Sequence, residues 1–311
     1  MKPVVVVLFI LTFIEAGFAA SRHGYTMEIP ASGVRAIAFD VQEGDLVIRG
    51  DASAKSVQMH VAIDRYWLFR LGEKDILKQL IKVTGEGTPE LKIVTDIQPS
   101  WRNYGRAEYP IDFEVVVPTG ALIRVHDTSG KIEIAGIANS VLVEDGSGTL
   151  SVQRTKGPVE INKESGDIVV EDVAGNVTIN SRSGQMHLER LGELNVTGSD
   201  GNIDVNDAGS VRLINKGGNI QIRAVTRGVN IDDDSGEIQI SDVGGDVSIQ
   251  DTSGQIRATH VGALTIDDTS GDVTVDGARS VNIRTKESGQ VKLRNVAGDV
   301  SVPHGITMAR R

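Results

Sequence analysis

The sequence predicts an all-β fold, a parallel β-solenoid (β-helix) with about 18 residues per coil. Glycine recurs at a nearly constant interval from Gly130 onward, and apolar residues alternate with polar ones after each glycine. The turn glycines are Gly130, Gly148, Gly166, Gly184, Gly201, Gly218, Gly236, Gly254, Gly271 and Gly289. Such a constant period indicates one short supersecondary unit that stacks on itself.

Each repeat contains two short strands separated by turns. In the coil that begins at Gly236, Ile238 and Ile240 alternate with polar residues, and Val247 and Ile249 do the same after a second turn. Strict alternation places the apolar side chains on one face of a strand and the polar ones on the other. Each strand is therefore expected to pair with its counterpart one coil away, at about 4.8 Å.

Residues 1–20 are predicted to be a signal peptide. Lys2 precedes an apolar run from Val4 to Ile14, and Gly17-Phe18-Ala19 offers small residues at a cleavage site. The run is shorter than the roughly 20 residues that span a bilayer, so a cleaved signal is favoured over an uncleaved anchor. We therefore predict a periplasmic or extracellular protein with no transmembrane segment after cleavage. The chain has no cysteine, so its stability must come from the core.

Residues 21–120 are predicted to form the first coils, interrupted by a helical insertion that caps the N-terminal end of the solenoid. After Gly44 the apolar residues alternate as in a weak coil, at Leu46, Ile48, Val57 and Met59. Between Glu73 and Ile81 the apolar spacing becomes helical. Terminal repeats of solenoids are usually atypical because they must cover an open end.

Residues 121–303 are predicted to be the regular coils, and residues 304–311 a C-terminal tail. The last coil ends at Val300-Ser301-Val302 with no capping helix. An uncovered strand edge invites pairing with another chain. End-to-end self-association is therefore an alternative, unless Pro303 and the terminal arginines block it.

Aromatic residues are confined to the N-terminal segments. After Phe113 the sequence contains no Phe, Tyr or Trp. The candidate binding residues in the inserted segments are Tyr66, Trp67, Phe69, Trp101, Tyr104 and Tyr109. They predict either a local mini-core that covers the end of the solenoid or a recognition patch, because aromatic anchors dominate binding surfaces.

Aspartates recur at one corner of three consecutive coils. They are Asp232, Asp233, Asp234, Asp251, Asp267 and Asp268. The first interpretation is solvated turn charge, because Asp is a common turn former. The second is a Ca²⁺ site at Asp233, Asp251 and Asp268, since stacked like charges raise one another's pKa or recruit a cation. The third is a set of catalytic carboxylates acting on a polysaccharide.

Charge and histidine placement argue against two other classes of ligand. The net charge is −10, and an acidic surface repels phosphate backbones, so no nucleic-acid partner is predicted. The six histidines, His23, His60, His126, His187, His260 and His304, are scattered without metal-ligand spacing. No zinc site is therefore predicted.

One stretch resembles a known family. Residues Ile111–Gly120 form a strand that ends in Val-Pro-Thr-Gly, and Arg124–Ile134 contain the recurring Ser-Gly-x-Ile-x-Ile phrase. This pattern is similar to the bacterial “putative adhesin” family of β-strand-repeat domains, a domain of unknown function. The resemblance covers roughly residues 34–302. It implies the repeat fold and an adhesive role, and it transfers no catalytic residue or cofactor.

Together these observations predict an exported, non-enzymatic β-solenoid that serves as an adhesin or as a structural and interaction scaffold of the cell envelope. Its expected partner is an envelope or surface protein or glycan, and no cofactor is expected. Two alternatives stay open. One is a polymerising envelope scaffold, and the other is a polysaccharide-active β-helix enzyme that uses the Asp ladder.

Overall fold

The computed structural model describes residues 22–64, 80–95, 111–198, 200–304 and 308–310. Within these residues the chain forms 21 β-strands, and Leu80 alone has helical geometry. The chain divides into two compact units, an N-terminal unit of Met1–Gly157 and a C-terminal unit of Pro158–Arg311. The prediction of an all-β parallel solenoid is confirmed in the described part of both units.

The N-terminal unit brings together strands from distant parts of the sequence. Its strands are β1 (Arg22–Pro30), β2 (Ala36–Asp40), β3 (Leu46–Asp51), β4 (Ser56–Asp64), β5 (Ile81–Thr84), β6 (Glu90–Thr95), β7 (Ile111–Pro118), β8 (Leu122–Ala135) and β9 (Val141–Thr155). Strands β2 and β3 both lie parallel to the long strand β8, through the pairs Ile37–Ile123 and Leu46–Ile132. They therefore form a true coil, as the alternation after Gly44 predicted.

Antiparallel strands cover this first coil. Strand β7 pairs in parallel with β3, and β4 then pairs antiparallel with β7, and β1 antiparallel with β4. On the other side, β6 lies parallel to β2 and forms an antiparallel pair with β5. Val57 and Met59 thus belong to the antiparallel strand β4 and not to the second strand of a weak coil. Alternation of apolar and polar residues indicates only that one face of a strand is buried. That holds for a coil strand and for an antiparallel strand such as β4.

The helical insertion predicted at Glu73–Ile81 is not seen in the described part of the chain. Residues 73–79 lie outside the described residues, Leu80 has helical geometry, and Ile81 already begins strand β5. Ile81 is buried where β5 pairs with β6, so its apolar character serves a sheet. Among the described residues, no helix has the length and apolar character needed to cross a bilayer.

The C-terminal unit consists of stacked coils in parallel register. Its strands are β10 (Val159–Lys163), β11 (Ile168–Val173), β12 (Val177–Ser181), β13 (Met186–Thr197), β14 (Ile203–Asn215), β15 (Ile220–Val225), β16 (Val229–Val243), β17 (Val247–Ser270), β18 (Val273–Thr285), β19 (Val291–Val296), β20 (Val300–Ser301) and β21 (Met308–Arg310). Ile220 pairs with Ile238, and Ile238 with Ile256. Each aliphatic side chain therefore stacks on its equivalent in the next coil.

Two backbone features repeat with the coil. The turn glycine needs its missing side chain, because at Gly254 (φ 148°) a Cβ atom would lie 1.7 Å from the carbonyl oxygen of Gly236. Near the end of the first strand of a coil, one residue adopts a left-handed conformation, as at Ala224 and Asp242 (φ 56° for both). This bend directs the next residue, such as Val243, into the core.

The C-terminal tail adds a strand to the solenoid. Strand β21 pairs in parallel with β19 through Val291–Met308 and Leu293–Arg310. The predicted end of the repeat at Val300-Ser301-Val302 is therefore followed by one more strand within the described residues. The sequence of the tail lacks the turn phrase, and for that reason its pairing could not be anticipated.

Candidate functional site

The predicted aromatic patch lies outside the described residues. Its members are Tyr66, Trp67, Phe69, Trp101, Tyr104 and Tyr109. The choice between an end cap and a recognition patch therefore stays a prediction. The side-chain clusters that the structure does describe are the Asp ladder and a group of ligand-type residues on an outer sheet face.

The Asp ladder lies inside the solenoid. Asp233, Asp251 and Asp268 are 2%, 6% and 1% exposed. Asp233 pairs with Asp251 in the parallel register, and Asn215 pairs with Asp233 on the other side. The interpretation as solvated turn charge is wrong for these three residues. Each follows the two buried aliphatic residues of the second half of its coil, and its side chain lies on the same inward face as theirs.

Burial makes these carboxyl groups unusually weak acids. Loss of hydration, followed by the negative charge of Asp251, raises the pKa of Asp233 to about 7. Burial and the neighbouring Asp268 raise the pKa of Asp251 to about 6. Both effects disfavour the charged form of a carboxyl group. The Asn215 amide lies near enough to lower the pKa of Asp233, but neither Asp233 oxygen has a hydrogen bond of ordinary geometry.

A buried ion pair closes one end of the ladder. Lys286 Nζ donates to Asp268 Oδ2 at 2.5 Å, and both side chains are fully shielded from solvent. Burial raises the pKa of Asp268, and the hydrogen bond and charge of Lys286 act in the opposite direction. A lone buried carboxylate would be costly, whereas a paired and hydrogen-bonded one is tolerated. Lys286 thus supplies the positive charge that one of the three aspartates requires.

This environment bears on the two chemical interpretations of the ladder. Ca²⁺ takes six to eight oxygen ligands at about 2.3–2.6 Å, and the raised pKa values favour protons as the ions that neutralise Asp233 and Asp251. The calcium site stays a prediction. For catalysis, a polysaccharide would have to contact carboxyl groups that are enclosed by the coil, and in this conformation Asp233, Asp251 and Asp268 are not accessible to it.

A second cluster was missed by the sequence reasoning. Glu171, His187 and Glu189 lie on an outer sheet face, and a ligand atom of each lies within 4.8 Å of the other two. Glu171 and Glu189 are register partners in β11 and β13. The signal was available, because residues separated by one full coil in the sequence become neighbours in the stack. Metal-ligand motifs are usually recognised by short spacings along the chain, and such spacings do not relate residues one coil apart.

No curated protein matches the chain in sequence, and its similarity to solved structures is distant. A “putative lipid binding protein” from Parabacteroides distasonis has 17% identity and a TM-score of 0.43, with 91% of this chain and 98% of that chain covered. A “putative cell adhesion protein” from Clostridium sporogenes has 11% identity and a TM-score of 0.32, with coverage of 68% and 99%. A “putative adhesin” from Bacteroides fragilis has 17% identity and a TM-score of 0.27, with coverage of 92% and 99%.

These structural scores are low, and the family assignment rests instead on a sequence-family match. The model of the Toastrack DUF4097 family, a domain of unknown function, matches residues 112–303. This range is more than half of the 311 residues. It includes the Val-Pro-Thr-Gly strand end and all the turn glycines from which the resemblance was inferred. The chain therefore belongs to the Toastrack DUF4097 family.

Proposed function

We propose that this protein is an exported, non-enzymatic adhesin of the cell envelope that binds a surface glycan through the outer face of its C-terminal unit. The observation that carries the proposal is a ladder of polar side chains on the second strands of the coils, here called the amide–hydroxyl ladder. Its members are Glu160, Thr178, Asn195, Arg212, Asn230, Ser248, Thr265, Asn282 and Ser301. All of them except Glu160 and Arg212 are uncharged.

The register makes this ladder regular. Thr178 pairs with Asn195, and Asn230 with Ser248, in parallel strands. Equivalent side chains are therefore repeated at about 4.8 Å. Hydroxyl and amide groups both donate and accept hydrogen bonds, as sugar hydroxyls do. Many weak contacts to a repeating polymer add up through their effective concentration, so a rigid, repetitive polar face suits a polysaccharide.

Two further observations support an adhesive role over catalysis. The carboxyl groups of Asp233, Asp251 and Asp268 are enclosed in the core, and this burial favours a role in the fold over a role on a bound substrate. The sequence also begins with the features of a signal peptide, Lys2 followed by the apolar run from Val4 to Ile14. Export would bring the polar face into contact with envelope glycans.

Isosteric substitutions test this assignment. Thr178→Val with Thr265→Val removes two hydroxyl groups from the amide–hydroxyl ladder and keeps the β-branched shape that strands prefer. Thr259→Val with Thr274→Val is the matched control, because these residues are half-buried on the outer face of the first strands. Binding is measured by co-sedimentation of the purified protein with insoluble envelope polysaccharide.

We expect the first pair to weaken co-sedimentation at least tenfold and the control pair to leave it unchanged. Equal binding by both double variants would refute the assignment of the face. The aromatic residues are tested separately with Trp67→Ala and Trp101→Ala in a pull-down from envelope extract. If both variants recover the same partners as the wild type, these aromatic residues serve as an end cap only.

Polymerisation is the second candidate function, and strand β21 is the observation that bears on it. Within the described residues, β21 has one ladder partner, β19, and an unpaired strand edge can accept a strand of another molecule. Light scattering over a concentration series separates the alternatives. A mass that rises with concentration would support a polymerising scaffold, and a constant monomer mass would refute it.

A further inference from the structure

Three side chains of metal-ligand type converge on the outer face of two consecutive coils. Glu171 lies in β11, and His187 and Glu189 lie in β13, where Val169 pairs with His187 and Glu171 with Glu189. One ligand atom from each of the three acidic or imidazole groups lies within 4.8 Å of the other two. Zinc forms bonds of about 2 Å to His nitrogen and carboxylate oxygen. Side-chain rotation on a rigid sheet is enough to close the remaining gap.

A carboxylate on the next coil lies beside the imidazole. His187 Nδ1 lies 3.4 Å from Asp204 Oδ2, and His187 Nε2 lies 3.6 Å from Glu189 Oε2. Arg223 donates to the other Asp204 oxygen at 2.9 Å, which helps to fix the position of the Asp204 carboxylate. Metal-binding histidines usually donate their second ring N–H to such a carboxylate. A proton on Nδ1, shared with Asp204, would leave the lone pair of His187 Nε2 for a metal ion on the side of Glu189.

Charge at this cluster favours a divalent cation. The carboxylates of Glu171, Glu189, Asp172 and Asp204 face two guanidinium groups, those of Arg190 and Arg223. Arg190 binds Asp172 and the Oε1 atom of Glu189, so the Oε2 atom of Glu189 is the one that faces His187. Glu171 and Glu189 are stacked on consecutive coils, and a divalent ion between them would offset the mutual repulsion of their carboxylates.

We propose that Glu171, His187 and Glu189 bind one zinc-type divalent ion and that Asp204 is a positioning residue for the imidazole. An imidazole nitrogen among the ligands selects Zn²⁺, Co²⁺ or Ni²⁺ over Ca²⁺ and Mg²⁺, which prefer oxygen ligands only. Three protein ligands leave a coordination position for water or for a donor atom of a bound partner. The inference is independent of the proposed glycan-binding face, because it rests on the first strands of the coils.

Isothermal titration of the full chain, without a histidine tag, with ZnCl₂ tests the site. We expect one ion per chain, and visible d–d absorption when Co²⁺ takes the place of Zn²⁺. His187→Gln and Glu171→Gln should each weaken binding at least tenfold. Asp204→Asn should weaken it about 10- to 100-fold, the usual effect of losing a carboxylate that orients a metal-binding histidine. CaCl₂ should produce no competing heat.

His260→Gln is the matched control. His260 is also exposed on the solenoid surface and lies 3.2 Å from a carboxylate oxygen of Asp242, but it does not belong to the cluster. This variant should bind Zn²⁺ as the wild type does. Absence of Zn²⁺ binding by the wild type, or wild-type affinity in His187→Gln and Glu171→Gln, would overturn the proposal and leave a surface group of histidine and carboxylate side chains. If His187→Gln fails to fold by circular dichroism, the isosteric Glu171→Gln and Asp204→Asn variants decide.

Discussion

Replacement of Asp233 by Asn should stabilise the protein, and the gain should grow with pH. Asp233 is buried beside Asp251 in the interior of the C-terminal unit, and its pKa is raised from 3.8 to about 7. In the unfolded chain the carboxyl group ionises near pH 4. Between these two values the folded state binds more protons than the unfolded state. The free energy of unfolding contributed by this group therefore falls as pH rises from about 4 to about 7.

The size of the effect follows from the shift. One pKa unit corresponds to about 1.4 kcal/mol, so a shift of about three units costs roughly 4 kcal/mol once the group is ionised in both states. At pH 5 the linkage relation yields a cost of about 1.5 kcal/mol, because Asp233 stays protonated in the folded state. Asp233→Asn should thus raise the free energy of unfolding by about 2–3 kcal/mol more at pH 8 than at pH 5.

Urea unfolding followed by far-UV circular dichroism at pH 5 and pH 8 measures this difference. Asp232→Asn is the matched control, because Asp232 is the neighbouring residue on the same strand and its side chain is exposed on the outer face. The control should change the free energy of unfolding by a similar small amount at both pH values. A gain from Asp233→Asn that is independent of pH would refute the assignment of a buried, protonated carboxyl group.

Three further changes test the coil geometry and the ion pair by the same unfolding measurement. Gly254→Ala should cost at least about 2 kcal/mol, because the new Cβ meets the carbonyl of the preceding coil, while Gly120→Ala, which meets nothing within 4 Å, should be nearly neutral. Lys286→Met should cost about 3–5 kcal/mol at pH 8 by leaving a buried charge, and adding Asp268→Asn should restore most of it; failure of this restoration would contradict the ion pair. Ala224→Gly should gain up to about 1 kcal/mol, since a left-handed φ is costly for Ala and free for Gly, and a loss would contradict that backbone geometry.

Most of the repeat could be predicted from the sequence because the signals that specify a coil lie within about 18 residues of one another. A turn glycine, two alternating pairs of aliphatic residues and a constant interval are each sufficient to propose a stacked strand. The N-terminal unit was harder, because its strands pair by long-range register. Strand β4 alternates like a coil strand, yet Val61 pairs with Phe113 in an antiparallel sheet. Alternation predicts that a strand has a buried face and does not reveal its direction.

The candidate sites were predicted less well for two different reasons. The outer-face cluster escaped notice because Glu171 and His187 are separated by almost a full coil, and only the coil period makes them neighbours. The Asp ladder was placed in the correct stack but given the wrong environment. The prediction of solvated turn charge followed from residue type, since Asp, Ser and Gly are typical of exposed turns.

The alternation of buried and exposed residues along the strand predicts the burial of the Asp ladder correctly, whereas residue type alone does not. Val229 and Ile231 are buried, and Asp233 continues the same odd-numbered series, while Asp232 falls on the exposed face. In the N-terminal unit, Ile123 and Val125 are followed in the same way by a buried Asp127. Because side chains in a strand alternate with a period of two, a polar residue in phase with the core is carried inside for as long as the strand continues. The free-energy cost of burying that polar group must then be offset by a proton, or by an amide or a lysine on a neighbouring coil. The identity of the residues in the buried Asp ladder therefore contributes to the stability of the fold, as the aliphatic residues do.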